Sequence, residues 1–385
     1  MRNASYWGLI LAGSLAGFIW GVNQVALSIY LVKIGLDIAQ IGAVYGASTA
    51  AMTAGSLLWG YLADIYDRRR LYYALSFASA TFTALMATAK PLVVAASYIS
   101  ASLLNRGVVY SAILGDYAKA RGLSNEAFSF SSSLSSFFAA LGSLSTSVTA
   151  AGIPGFQTLF LLESLAIAVS AALLSLSEPV AAVERGRLSL DLRTLRSYWL
   201  LKRLIPESLI GLGAGVIIPL FSLWFYIKFH VSVGSLAVFY AASDLTLALG
   251  AASAPLIARA LRSRVDAVVV LQSLATALLA SMPFVGSAEI ALSLFVARTA
   301  LMNMANPLLS ALINDLVPQE ERGRVFGLWN TLSSVPRAVG PAIGGYLMGS
   351  GMIDAPLFIT AGLYAVAVAL FKALLGQAES RLARG

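Results

Sequence analysis

Apolar runs of about 20 residues recur along nearly the whole chain, and each is long enough to cross the ~30 Å hydrocarbon core of a bilayer as a helix. No other feature restricts the fold as strongly. Backbone groups in hydrocarbon find no water, so a spanning chain closes its hydrogen bonds within helices or within a closed barrel. The period-2 alternation and polar inner face of a membrane barrel are missing, which leaves a helix bundle. Composition agrees: 58% of the residues are hydrophobic, 11% are charged and mean hydropathy is +0.81, whereas a water-soluble globule carries about 25% charged residues.

Twelve spans are expected, at roughly 7–31, 39–63, 71–89, 91–115, 126–149, 157–177, 204–228, 234–258, 265–285, 288–313, 325–349 and 356–375. The first run is too long for a cleavable signal and reads as a retained span. Lys and Arg then sort by side. Twenty fall on the side of the N-terminus, three (Lys33, Lys90 and Lys228) fall on the other, and Arg106, Arg298 and Arg337 lie inside spans. Basic loops stay cytoplasmic. The expectation is therefore a multi-pass protein of the cytoplasmic membrane with both termini in the cytoplasm. The net charge of +8 is a topology signal and no nucleic-acid partner is expected.

Several chemistries are disfavoured. There are no cysteines, which rules out disulfides, thiolate metal sites and cysteine nucleophiles. A single histidine, His230, argues against a His-based metal site or catalytic triad. No G-x-x-x-x-G-K-[ST] run is present, which argues against ATP-driven pumping by this chain. Neither a cofactor nor an enzymatic reaction is expected.

The longest hydrophilic stretch, at 178–203, divides the chain into 1–178, a central loop at 179–203 and 204–385, with six spans on either side. Its leucines and arginines suit an amphipathic helix on the inner membrane surface; a flexible linker fits equally well. The halves share a layout. DIYDRRR at 64–70 corresponds to RALRSR at 259–264, and DYAKARGLSNEA at 116–127 to DLVPQEERGRVF at 315–326, so Asp116 and Asp315 occupy matching places. A parallel repeat of this kind places a binding site between the halves near the midplane.

The stretch GYLADIYDRRR at 60–70 resembles the loop 2–3 signature of the major facilitator superfamily. Gly60, Leu62, Asp64, Arg68 and Arg69 match, while Asp67 stands where a second glycine is usual. INDLVPQEERGRVFGLWNTLSSVPRAVGPAIGGYL at 313–347 resembles the same superfamily's loop 10–11 and span 11. With the span count, the resemblance covers essentially the whole chain. It implies an all-α integral membrane fold of 12 transmembrane helices, arranged as two six-helix bundles around a central cavity and usually working as a monomer. The glycine- and proline-rich part of span 11 also resembles the superfamily's antiporter motif, with Pro336 in place of one glycine. In drug/proton antiporters that motif lies in span 5, where this chain has LGSLSTSV. Close helix packing is the preferred reading there.

The loop at 60–70 is expected to act as a conformational latch. Gly60 would admit a close helix, Asp64 would accept from helix N-terminal amides, and Arg68 would reach Asp116, a pairing that the resemblance nominates. The alternative is that the arginines only fix topology.

Arg106 is the only charge from Pro91 to Gly115. Ten residues separate it from Asp116, which at 1.5 Å per residue puts it about 15 Å deep, near the midplane. Intramembrane ionisable residues are functional candidates by default. The resemblance lines the cavity with spans 1, 4, 7 and 10. The candidate substrate-binding residues are therefore Arg106 and Tyr110 of span 4, Asn23 and Gln24 of span 1, and Arg298, Asn303 and Asn306 of span 10, joined by Asn330 and Arg337 of span 11. The planar fork of arginine suits carboxylate or phosphate, which favours an anionic or zwitterionic solute. Asp244 in span 8 and Glu163 in span 6 are the candidates for proton coupling; a fixed ion pair of Asp244 with Arg337 or Arg298 is the structural alternative. Trp7, Tyr66, Tyr72, Tyr198, Trp199, Trp224 and Tyr226, near span ends, read as interface anchors. Gly211, Gly213, Gly215 and Pro219 read as a bend or a packing surface in span 7.

The function expected is a secondary active transporter for a small organic solute, with protons as an optional coupling ion and membrane lipid as the surrounding partner. The alternatives are a broad-specificity exporter working by proton antiport and a non-transporting receptor on the same fold.

Overall fold

The computed structural model describes residues 4–122, 124–149, 152–178, 197–246, 263–318 and 321–382. Among them are α1 (Ala4–Lys33), α2 (Ile38–Ile65), α3 (Arg68–Leu85), α4 (Pro91–Leu103), α5 (Arg106–Ala120), α6 (Ser124–Thr149), α7 (Ile153–Ser175) and α8 (Tyr198–Arg203). They continue as α9 (Pro206–Ile217), α10 (Phe221–Phe229), α11 (233–246), α12 (Arg264–Ser281), α13 (Ala288–Leu316), α14 (Arg322–Gly349) and α15 (Ala355–Leu382). No strand occurs among the described residues. With α4–α5 and α9–α10 each taken as one span, ten spans among the described residues are long and apolar enough to cross a membrane. The 28-residue α14 is long enough but carries Arg324, Asn330 and Arg337. The remaining expected span begins with α11, whose continuation, like most of the central loop, lies outside the described residues.

Local chemistry sets several helix ends. Asp67 caps α3 by accepting from the Arg70 amide at 2.7 Å, and Ser263 caps α12 by accepting from the Asp266 amide at 2.9 Å. The residue that departs from the loop signature, Asp67, is thus the cap. Asp64, three residues before this cap, accepts from Arg68. Pro91 and Pro206 begin α4 and α9, where a missing N–H costs nothing.

Two spans are broken, span 7 at the residue read as a bend and span 4 where no break was expected. In span 7, Pro219 lies in a 3-10 turn, Ile218–Leu220, between α9 and α10, because its ring removes a helical donor. In span 4 the break falls at Leu104 and Asn105, with no proline present.

The chain forms two compact units. The first contains Met1–Asp37, Ala47–Arg187 and His230–Leu245; the second contains Ile38–Gly46, Leu188–Phe229 and Thr246–Gly385. Within each unit, small residues let backbones touch, as they do where lipid supplies no hydrophobic drive between helices. In the first unit, α1 crosses α6 with Gly17 and Gly21 at the contact. A Cβ on Gly17 would stand 1.9 Å from the Ser135 carbonyl oxygen, and one on Gly21 would stand 2.0 Å from that of Ala139. In the second, α9 meets α14. A Cβ on Gly211 would stand 2.1 Å from the Ser333 oxygen, and one on Gly344 would stand 1.9 Å from that of Val216. Packing is thus the role of these span-7 and span-11 glycines, and α14 runs uninterrupted through Pro336 and Pro341.

Two of the expected interface anchors are buried. Trp224 donates to Asp354 at 3.0 Å, beside a Lys228–Asp354 ion pair at 2.8 Å. Tyr72 is 1% exposed and belongs to the site below.

Candidate functional site

Arg106 is the first residue of α5, directly after the break in span 4. It is half-buried. Its Nη1 donates to the Tyr72 hydroxyl at 2.9 Å and to Ser170 Oγ at 3.0 Å. Tyr72 and Ser170 lie 2.7 Å apart, and Ser170 donates on to the Ala12 carbonyl at 2.6 Å. Helices α5, α3 and α7 therefore meet at one guanidinium, and Ser170 ties the cluster to α1. Among the described residues its hydrogen bonds go to neutral oxygens only. None of these described contacts brings a counter-charge.

Tyr110 sits one turn along the same helix. Its hydroxyl is committed to the Leu9 carbonyl and Ser131 at 3.1 and 3.2 Å, and its ring lies against Gly13. This is a packing contact of the core of the first unit.

Asn23 and Gln24 each serve a carboxylate. Asn23 Nδ2 donates to Glu163 Oε1 and Oε2 at 3.0 and 3.1 Å, and Glu163 is 1% exposed. Gln24 Nε2 donates to Asp244 Oδ2 at 2.7 Å, which also lies 3.1 Å from Ser143 Oγ. Residues 233–245 of α11 belong to the first unit, so Asp244 is held there by an amide and a hydroxyl. These contacts replace the ion pair with Arg337 or Arg298 that the sequence left open.

The second unit has its own buried cation. Arg298, in α13, is 2% exposed. Its Nη2 reaches the Tyr364 hydroxyl at 3.3 Å, the guanidinium carbon lies 5.8 Å from the Phe221 and Tyr364 ring centroids, and Nε has no hydrogen-bond partner among the described residues. Asn303 donates back along α13 to the Thr299 carbonyl at 2.8 Å, and Asn306 reaches Asn303 Oδ1 at 3.3 Å. Asn306, Asn330 and Arg337 are exposed. Glu207, buried at the start of α9, accepts from the Trp329 indole and feels the Arg337 charge. Each half thus carries an arginine on its fourth span that donates to a hydroxyl on its sixth: Arg106 to Ser170, and Arg298 to Tyr364. Arg298 lies seven residues further from its matching aspartate than Arg106 does, 17 against 10, or about 10 Å along a helix.

The latch residues come together. Arg68 donates from Nε to the Ala63 carbonyl at 2.9 Å, from Nη2 to Asp64 at 3.1 Å and from Nη1 to Asp116. Arg69 reaches across to the Ser177 carbonyl at 2.7 Å, just past the end of α7. The matching pair of the other half, Arg264 and Asp315, also meets, at 2.5 Å. Gly60 does not supply a close approach: a Cβ there would meet Val108 at an ordinary 3.4 Å. Gly55, five residues earlier, does so instead, against the Leu103 carbonyl.

Tyr72, Ser170 and Ser143 were missed by the sequence reading. Serines in apolar helices are a weak signal, and Tyr72 stands where an interface tyrosine would. Among the described residues no three His, Asp or Glu side chains gather as metal ligands.

The Major Facilitator Superfamily model matches residues 9–299 and 207–384. No curated protein matches the chain. Solved structures similar in fold include the nucleoside transporter NupG, with 16% identity and a TM-score of 0.77, covering 97% of this chain and 99% of that one. A bacterial homolog of the human lysosomal transporter Spinster, inward-facing and occupied, gives 13%, 0.76, 97% and 96%, and a D-xylose–proton symporter gives 13%, 0.70, 96% and 98%. Repeated halves, apolar spans, the loop signature and a match along nearly the whole sequence agree: the chain belongs to the Major Facilitator Superfamily.

Proposed function

We propose that the chain is a secondary active transporter that moves a small organic solute with an anionic group, free or as part of a zwitterion, by alternating access. The observation that carries this reading is Arg106, half-buried at the interruption of span 4 and hydrogen-bonded, among the described residues, to hydroxyls alone. An arginine inside a membrane costs several kcal/mol unless it is compensated. A carboxylate or phosphate on the solute supplies the missing charge and fits the fork of donors. Glu163 and Asp244, buried against amides and a hydroxyl, are the groups proposed to carry protons. That the proteins similar in fold include a nucleoside transporter and a D-xylose–proton symporter supports small-solute transport. The basic loops support both termini lying in the cytoplasm.

The test is thermal unfolding of the purified protein with small carboxylates, phosphates, zwitterions and lipophilic cations, alongside Arg106→Gln. Stabilisation by carboxylates or phosphates that the variant loses while remaining folded is expected. Stabilisation by lipophilic cations alone, or an unchanged response in the variant, overturns the reading of Arg106. Counterflow in liposomes separates a transporter from a receptor.

A further inference from the structure

Span 4 breaks where its own sequence does not require it. Leu103, Leu104, Asn105, Arg106 and Gly107 include no proline, so a continuous helix from Pro91 to Ala120 is open to the backbone. A break in a bilayer strips the last carbonyls of α4 and the first amides of α5 of their helical partners, and an unsatisfied group in hydrocarbon costs several kcal/mol. Groups outside the span must therefore hold the broken form.

Helix α2 supplies them from one face. Trp59 Nε1 donates to the Leu103 carbonyl at 2.7 Å. Gly55, one turn away, lies so close to that carbonyl that a Cβ would stand 2.0 Å from its oxygen. Asn105 Nδ2 donates to Ser56 Oγ at 2.8 Å, and Ser56 donates to the Met52 carbonyl at 2.8 Å. The indole thus takes the place of the Gly107 amide, which the Leu103 carbonyl would accept from in an unbroken helix.

We propose that Trp59 is a positioning residue for Arg106: its indole N–H holds span 4 in the broken form that directs the guanidinium to Tyr72 and Ser170. The ψ angles at Leu104 and Asn105 are 33° and 77°, against about −42° in a helix. Straightening changes both and turns everything beyond them, Arg106 first. Span 4 is then an element with two arrangements, and an anion on Arg106 favours one of them. The link to anion binding rests on the reading of Arg106 proposed above; the account of the break does not.

The chain lacks cysteine, so spin labels at Ala96→Cys and Ser111→Cys report the geometry of span 4 directly. Trp59→Phe keeps the ring and removes the donor; Trp59→His restores a ring N–H. The expected result is a longer label distance in Trp59→Phe, an apparent affinity for inorganic phosphate or acetate weakened about tenfold, and partial recovery of both in Trp59→His. An unchanged distance in Trp59→Phe overturns the proposal. A changed distance with unchanged anion stabilisation overturns the positioning role. If neither anion stabilises the unmutated protein, the reading of Arg106 fails, while the label distance still decides how the break is held. Should Trp59→Phe not fold, Asn105→Ala removes the second contact to α2 and is read by the same distance.

Discussion

Gln24 Nε2 lies 2.7 Å from Asp244 Oδ2, while the amide of the preceding residue, Asn23, meets both oxygens of Glu163. Adjacent residues on a helix point about 100° apart, so α1 presents one amide to each of two buried acids. Neither acid is given a cation among the described residues. Arg106 and Arg298 likewise make no hydrogen bond to a carboxylate there. Removing one partner of a buried ion pair is costly; among the described residues these charges have no such partner, which is why the proposal above gives the acids a proton and Arg106 an anion.

Asp244→Asn is expected to abolish any dependence of transport on an imposed pH gradient while counterflow persists, because an amide can keep the Gln24 and Ser143 contacts but cannot carry a proton. Liposome uptake with and without the gradient measures this. An undiminished gradient response in the variant would remove Asp244 from the coupling.

The two matching ion pairs should differ in strength. The Arg68 and Asp116 side chains are 9% and 11% exposed, those of Arg264 and Asp315 40% and 53%. Breaking a buried pair costs roughly 3 kcal/mol, and an exposed one about 0–1 kcal/mol. Asp116→Asn should therefore lower the unfolding temperature clearly and shift the balance of access states, while Asp315→Asn should do little to either. Thermal unfolding and cysteine accessibility from the two sides of the membrane would show it; equal effects would remove the latch asymmetry.

Arg298→Met is expected to leave thermal stability equal or higher, since it removes a buried cation with an unpartnered Nε and retains the apolar bulk. Solute-dependent stabilisation and counterflow should fall at least about tenfold, or 1.4 kcal/mol. A destabilisation of more than about 2 kcal/mol would instead mean that the contacts with Phe221 and Tyr364 are structural.

Gly21→Ala tests the crossing of α1 and α6. With 2.0 Å available to the new Cβ at the Ala139 carbonyl, the helices must separate. The expected outcome is an unfolding temperature several degrees lower, together with a weaker Gln24–Asp244 hydrogen bond and a smaller response of uptake to a pH gradient. Gly60→Ala, where the space is ordinary, should be close to neutral in the same assays.

Much of this protein is legible along the chain. Runs of apolar residues define the spans, basic loops fix the expected topology, and Asp64, Arg68 and Asp116 could be brought together through the resemblance of a local signature to the superfamily's. These are sums over neighbouring residues, and the bilayer reads them in that form. The cap of α3 by Asp67 is local too, yet it shows only once the turn before the helix is formed.

Hydrogen-bond partners are a different kind of information. Arg106 is held by residues 34 and 64 positions away, and Asp244 by residues 101 and 220 positions away. Which faces meet depends on how each span is rotated, and that is set by backbone contacts at a few glycines, such as Gly17 and Gly21 on Ser135 and Ala139. The break in span 4 shows the division most clearly. The sequence alone placed a cation at mid-depth in an apolar span. Only the tertiary structure decided that the helix stops there, because the donor that satisfies the freed carbonyl, Trp59, belongs to another helix.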